Sequence, residues 1–188
     1  MIKLIRLFRI HKNQIKYQIG NIKKQIIVRY FGNKYKIPTL IETGTYLGDM
    51  INASKNTFKK IYSIEIEQNL YQKAKERFAK FQHIYIIHGD SAQILKKLLA
   101  NINDRCLFWL DGHYSGGITG RGDKNTPIEQ ELDAIINHHI KSHVILIDDA
   151  RLFTGYNDYP SIEIIVYTVQ SKSNYKIEVK NDIIQIYV

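Results

Sequence analysis

The stretch TLIETGTYLGD, residues 39–49, decides how this chain folds. Its first five residues read as a strand, and residues 48–58 read as a helix. Between them lies a turn, residues 42–48, with glycine at positions 44 and 48. Glycine at a strand-to-helix turn lets backbone approach a ligand, and the helix start offers unpaired N–H groups to a carboxylate or phosphate. Thr45 and Tyr46 stand where a dinucleotide fingerprint needs glycine, so the turn suits a pyrophosphate poorly.

The same strand-then-helix order repeats toward the C-terminus. Strands are expected at 61–67, 83–89, 106–111 and 143–149, and helices at 68–81, 91–99, 126–139 and 159–170. The first of these helices sets Leu70, Ala74, Phe78 and Phe81 on a single apolar stripe. Ser91 is the expected N-cap of the second, and Thr126 followed by Pro127 should open the third. Residues 159–170 are rich in β-branched side chains, but their length and their place in the alternation make them a helix. The closing runs YKIEVK and IIQIYV flank Asn181-Asp182, a hairpin signature that makes them antiparallel. Five strand–helix units and a hairpin predict an α/β chain, an open and mostly parallel sheet with helices on both faces. Ligands of such sheets bind beyond the carboxyl ends of the strands.

A chain of 188 residues, 44% hydrophobic and 24% charged, can bury one full core. Its single cysteine, Cys106, supports neither a disulfide framework nor a cysteine zinc site, and fits a reducing, cytoplasmic interior. The net charge of +9 is unevenly spread: residues 1–41 hold ten of the 27 Lys and Arg and none of the 18 acids. Residues 1–36 therefore read as a basic amphipathic extension, and 37–188 as the domain. Lys3, Arg6 and Arg9 interrupt any secretory signal, and no uncharged run approaches the roughly 18 residues of a membrane span. Two readings stand for the extension. It lies on an anionic membrane at the inner face or tracks a polyanion, or it packs on the domain with a solvated basic face.

The strand ends carry the chemistry. Glu65 ends the second strand, 23 residues after Glu42, the spacing at which an acid accepts hydrogen bonds from ribose hydroxyls. Gly89-Asp90-Ser91 ends the third strand with polar groups that can meet a base. Asp111 ends the fourth, and Asp148 with Asp149 ends the fifth. If those strands are neighbours, three carboxylates converge, and a divalent cation with all-oxygen ligands (Mg²⁺, Mn²⁺ or Ca²⁺) would relieve their repulsion. The alternative is that they cap turns and bind backbone N–H groups. His113, two residues past Asp111, suits a proton acceptor at neutral pH. Residues 112–126 hold five glycines, as suits a flap over a substrate or a plain surface loop.

Acid-x-Gly at strand one, an acid ending strand two, Gly-Asp ending strand three and the hairpin make residues 38–188 resemble a class I S-adenosylmethionine-dependent methyltransferase. The portion LDGHYSGG…RGDKNTPIEQEL…ILIDDAR is similar to small bacterial enzymes of the macrocin O-methyltransferase group, and more distantly to catechol O-methyltransferase. The resemblance implies a Rossmann-like three-layer sandwich with a mostly parallel seven-stranded sheet and a C-terminal antiparallel hairpin. It implies that Glu42, Gly44 and Thr45 cradle the methionine part of S-adenosylmethionine, with Tyr46 and Gly48 in the same turn. Glu65 would bind the ribose, Asp90 and Ser91 would sit at the adenine, and Asp111 would border both cofactor and metal. Metal-dependent relatives hold Mg²⁺ at positions matching Asp111, Asp148 and Asp149. His113 stands where the sugar methyltransferases often have a second Asp as the base. The implied reaction is metal-assisted methylation of a hydroxyl on a small molecule, sugar or glycan, with Asp111 and His113 at the reacting centre.

Two other functions compete. Methyl transfer to RNA would use the basic extension to hold phosphates, but the Asn/Asp-Pro-Pro-aromatic motif of base amino-group methylation is absent after strand four. A non-catalytic scaffold for a membrane or partner would not need the carboxylates.

Overall fold

Side-chain alternation along the central strand sets the layers. In β4 (Cys106–Leu110), Leu107 and Trp109 join one apolar cluster while Phe108 and Leu110 join another on the opposite face. The first cluster includes residues of α1 (Ile2–Lys34), α2 (Asp49–Ser54) and α3 (Gln68–Phe78). The second includes residues of α4 (Ser91–Leu99), α5 (Ile128–Ile136) and α6 (Ile162–Gln170). Helices on both faces bury β4 completely, which is why it reads as continuous apolar sequence. The computed structural model describes residues 2–114, 116–120, 122, 124–172 and 174–188, with side chains of α1 described from residue 18 onward.

The other strands are β1 (Thr39–Thr43), β2 (Lys60–Glu65), β3 (Ile84–His88), β5 (Val144–Ile147), β6 (Lys176–Lys180) and β7 (Ile183–Tyr187). They form one seven-stranded sheet in the order β3-β2-β1-β4-β5-β7-β6. All pairs are parallel except β5 with β7 and β7 with β6. The expected three-layer α/β sandwich with a terminal hairpin is therefore the observed one. Asn181 and Asp182 both adopt positive φ, 57° and 61°, as the two-residue hairpin turn demands. Strand order reverses between β1 and β4, which opens a crevice above Gly44 and Asp111.

Several boundaries differ from the sequence reading for local reasons. Asp90, not Ser91, caps α4, its carboxylate accepting from Ala92 N–H at 3.0 Å. Thr126 accepts from Ile128 N–H at 3.4 Å, but Pro127 is the N-cap of α5. The helix expected over 159–170 starts at Ile162, capped by Ser161. In α1, Val28 and Phe31 are buried against the sheet while Ile19, Ile22, Ile26 and Tyr30 are each about half exposed. No helix among the described residues is long and apolar enough to cross a membrane.

The amino ends of β4 and β5 are tied by a histidine relay. Cys106 N–H donates to His143 Nδ1 at 3.1 Å, so the His143 proton sits on Nε2 and points to His138 Nδ1 at 2.9 Å. His138 Nε2–H then faces the Leu99 and Ile102 carbonyls, each at 3.1 Å. Burial lowers both imidazoles, His143 to about 4, so the relay is neutral at pH 7.

Candidate functional site

A cavity of about 860 Å³ lies over the carboxyl ends of β1 to β5, within the range of cofactor sites. Gly44, Tyr46, Glu65, Asp90 and Ser91 line one half, and Asp111, His113, Asp148 and Asp149 line the other. Residues of the 112–126 loop line it too. Gly120 approaches the chain after β2 so closely that an added Cβ would lie 2.5 Å from Ile66 Cγ2. The loop thus reaches from the end of β4 to the end of β2, and glycine is required where it touches down.

The turn after β1 is shaped from below. Gly44 has φ 81°, and a Cβ there would lie 2.3 Å from the Asp111 carbonyl oxygen, so glycine lets the ends of β1 and β4 meet. Glu42 and Thr45, expected to touch the cofactor, lie behind this turn and do not line the cavity. Ser63 Oγ donates to Glu42 Oε2 at 2.6 Å and lies 2.6 Å from Thr45 Oγ1, a chain that fixes the turn to β2. Burial pushes the Glu42 carboxyl up to about 8. Gly48 is also away from the cavity, packed against Phe78. Tyr46 takes the positive-φ conformation, 48°, that a second glycine would otherwise supply.

Glu65 is 4% exposed, yet it faces the cavity. Its Oε2 accepts from Tyr46 N–H at 2.8 Å and its Oε1 from Glu67 N–H at 2.9 Å. A carboxylate accepts about four hydrogen bonds, so each oxygen retains a lone pair, the acceptor set that the two hydroxyls of a vicinal diol can donate to. The residues here fit the ribose of a nucleoside cofactor, and Asp90 and Ser91 continue the same wall.

The other half is a charge cluster. Lys24 Nζ sits 2.6 Å from Asp148 Oδ2 and 3.1 Å from Asp149 Oδ1. Arg151 pairs with Asp149 at 2.8 Å and also with Asp182 from the hairpin turn. His113 lies between acids, Nδ1 3.4 Å from Asp111 Oδ1 and Nε2 3.4 Å from Asp149 Oδ2. Burial, with Asp148 alongside, raises the Asp111 carboxyl well above its ordinary value, although 34% of its side chain stays accessible through the cavity. Burial and Asp149 likewise raise Asp148, to about 6. Burial also works to raise Asp149, but Lys24 and Arg151 outweigh it and hold that carboxyl low. Burial lowers His113, leaving a neutral imidazole at pH 7. Asp149 itself has φ 54°, a left-handed conformation that turns the chain sharply after β5.

The three carboxylates expected to hold a metal do reach the cavity, but they do not fit a divalent cation as placed. The Lys24 ammonium already lies against Asp148 and Asp149, and no group of three or more His, Cys, Asp or Glu among the described residues is spaced as a metal site.

Sequence reasoning missed two residues. Lys24 is one of ten bases in a uniformly mixed segment; its only signal is the i, i+4, i+7 spacing with buried Val28 and Phe31. Glu131 takes no role from any motif in the sequence but is 1% exposed, on the same helix stripe as Ile128, Leu132 and Ile135. Burial pushes its carboxyl up to about 7; the Ser91 and Thr43 hydroxyls pull the other way, although its Oε1 makes no hydrogen bond of ordinary geometry among the described residues.

No family model and no curated protein matches the sequence. Solved structures do match the fold. The O-methyltransferase TomG from Streptomyces achromogenes, in complex with SAM, superposes with a TM-score of 0.62 at 13% identity, over 87% of this chain and 78% of that one. A putative caffeoyl-CoA O-methyltransferase from Staphylococcus aureus gives 0.55 at 13% identity, over all of both chains. The N-methyltransferase NodS from Bradyrhizobium japonicum, with SAH bound, gives 0.59 at 10% identity, over 89% of this chain and 87% of that one. Strand order, the terminal antiparallel pair and these superpositions together give one conclusion: the chain has the fold of the class I S-adenosylmethionine-dependent methyltransferases.

Proposed function

We propose that this chain is a methyltransferase that binds S-adenosylmethionine and methylates a hydroxyl of a small molecule, sugar or glycan in the cytoplasm. The observation that carries the reading is the division of one cavity into two chemistries. A ribose-type acceptor set, Glu65 with Asp90 and Ser91, faces a neutral imidazole, His113, held between carboxylates. When bound, S-adenosylmethionine supplies an electrophilic methyl group on a sulfonium. Glu65 holds the ribose hydroxyls on its remaining lone pairs. His113 would take the proton of the acceptor hydroxyl as its oxygen displaces the cofactor sulfur from the methyl carbon, and Asp149, kept ionised by Lys24 and Arg151, would stabilise the imidazolium. The described loop residues 116–120 and 122 line the same cavity and would screen the reacting atoms from water. Magnesium assistance, expected from the resemblance, has no step here because Lys24 holds the carboxylates.

The test is transfer of methyl label from S-adenosylmethionine to a panel of sugar and small-molecule hydroxyls. The reading expects label on at least one acceptor and its loss in His113→Ala. Label found only on RNA would replace the acceptor class.

The exposed stripe Ile19, Ile22, Ile26 and Tyr30, with Lys23 and Arg29 beside it, supports a second reading for the extension: contact with an anionic lipid surface.

A further inference from the structure

All four carboxylate oxygens of Asp148 and Asp149 face donors of this chain. Asp148 Oδ1 accepts from Asp149 N–H at 2.8 Å, and its Oδ2 meets Lys24 Nζ at 2.6 Å. Asp149 Oδ1 meets Lys24 Nζ at 3.1 Å and Arg151 Nη1 at 2.8 Å, and its Oδ2 faces His113. A divalent ion bound by this pair would have to displace Lys24 and leave its ammonium without a partner, which is unfavourable for a half-buried charge. Lys24 and Arg151 together also carry the two positive charges that such an ion would bring.

The placement of Lys24 is built, not incidental. It lies 124 residues from Asp148 in sequence, on a helix seated by Val28 and Phe31, 0% and 5% exposed, one and two turns further along the same face. Its side chain is 22% exposed and lines the cavity. Among the described residues two of its three N–H groups meet carboxylates, which leaves the third for a ligand on the cavity side.

We propose that Lys24 is the resident cation of this site: its ammonium takes the position of a divalent metal between Asp148 and Asp149 and presents its remaining N–H to the acceptor. The second half of this statement rests on the methyl-transfer reading; the first does not. N-terminal to the sheet, the basic helix is then part of the active centre.

The test uses Mn²⁺ alone, with the free-ion paramagnetic resonance signal as readout, on the full chain. Lys24→Met keeps the aliphatic stem and removes the charge. Wild type should bind Mn²⁺ no more tightly than Asp148→Asn does. Folded Lys24→Met should bind at least about tenfold more tightly than wild type, since two carboxylates lose their cation, and adding Asp148→Asn should cancel the gain. Mn²⁺ binding by wild type that Asp148→Asn abolishes would overturn the proposal. So would a folded Lys24→Met with no gain. Should circular dichroism find that variant unfolded, Lys24→Gln carries the same comparison. Failure of the methyl-transfer reading would appear elsewhere, as absent S-adenosylhomocysteine binding, and so stays distinguishable.

Discussion

At the amino ends of β4 and β5, His138 and His143 are buried and neutral, and each ring nitrogen has a partner. At the carboxyl ends of the same two strands, Asp111, Asp148 and Asp149 are held by Lys24, Arg151 and His113. Both ends bury polar groups, but among the described residues it is the carboxyl ends that hold compensated ion pairs, and those pairs line the cavity that Glu65 and Asp90 share. The lesson is a division of labour. Neutral, saturated hydrogen bonding fixes the strands in register, whereas compensated charge keeps donors and acceptors available for a ligand.

This contrast can be broken from either side. The largest effect is expected at Glu65: Glu65→Ala should weaken S-adenosylhomocysteine binding by about 100-fold or more, as two charge-assisted hydrogen bonds are lost, measured by calorimetry. His113→Ala should leave that binding within about threefold and lower the transfer rate by ~10²–10⁴. At the other end, His143→Leu should lower folding stability by ~2–4 kcal/mol, because Cys106 N–H and His138 Nδ1 lose their partner. Urea unfolding checks this, and cofactor affinity of the folded variant should be unchanged.

Buried carboxyls and buried imidazoles should also respond to pH with opposite sign. Glu42 and Glu131, raised to about 8 and 7 by burial, bind a proton more tightly folded than unfolded. Their contribution is full below about 4.5 and is lost as pH rises through the folded values. His143, lowered to about 4 by burial and then by His138, contributes fully above 6.5 and loses its share as pH falls toward 4. Melting curves between pH 8 and 5 should therefore level off or turn down below about 6.5 in wild type, and do so less in His143→Leu, which keeps the lowered His138 and His113. The smallest effect concerns the outer face of α1. Ile22→Ser with Ile26→Ser should leave melting unchanged and reduce cosedimentation with phosphatidylglycerol vesicles, with neutral vesicles giving no binding to either protein.

The sequence made the element order legible because the parallel strands are short, mostly apolar runs ended or followed by an acid or glycine, and the terminal pair is marked by its Asn181-Asp182 turn. It placed Glu65, Asp90, Asp111, His113, Asp148 and Asp149 at strand ends, and the structure gathers all six around one cavity. Glu42 and Thr45 were not separable from Gly44 by spacing, since which residues of the turn reach the cavity depends on how the turn packs against β2 and β4. Lys24 was invisible for a stronger reason. Its partners lie more than 120 residues away, and no local pattern encodes which of ten bases meets them.

The most direct measurement is calorimetric titration of the full chain with S-adenosylhomocysteine in excess chelator. The account predicts about micromolar binding that persists without any divalent ion and vanishes in Glu65→Ala. Folded protein that binds nothing under these conditions, or binds only when Mg²⁺ is restored, would contradict it.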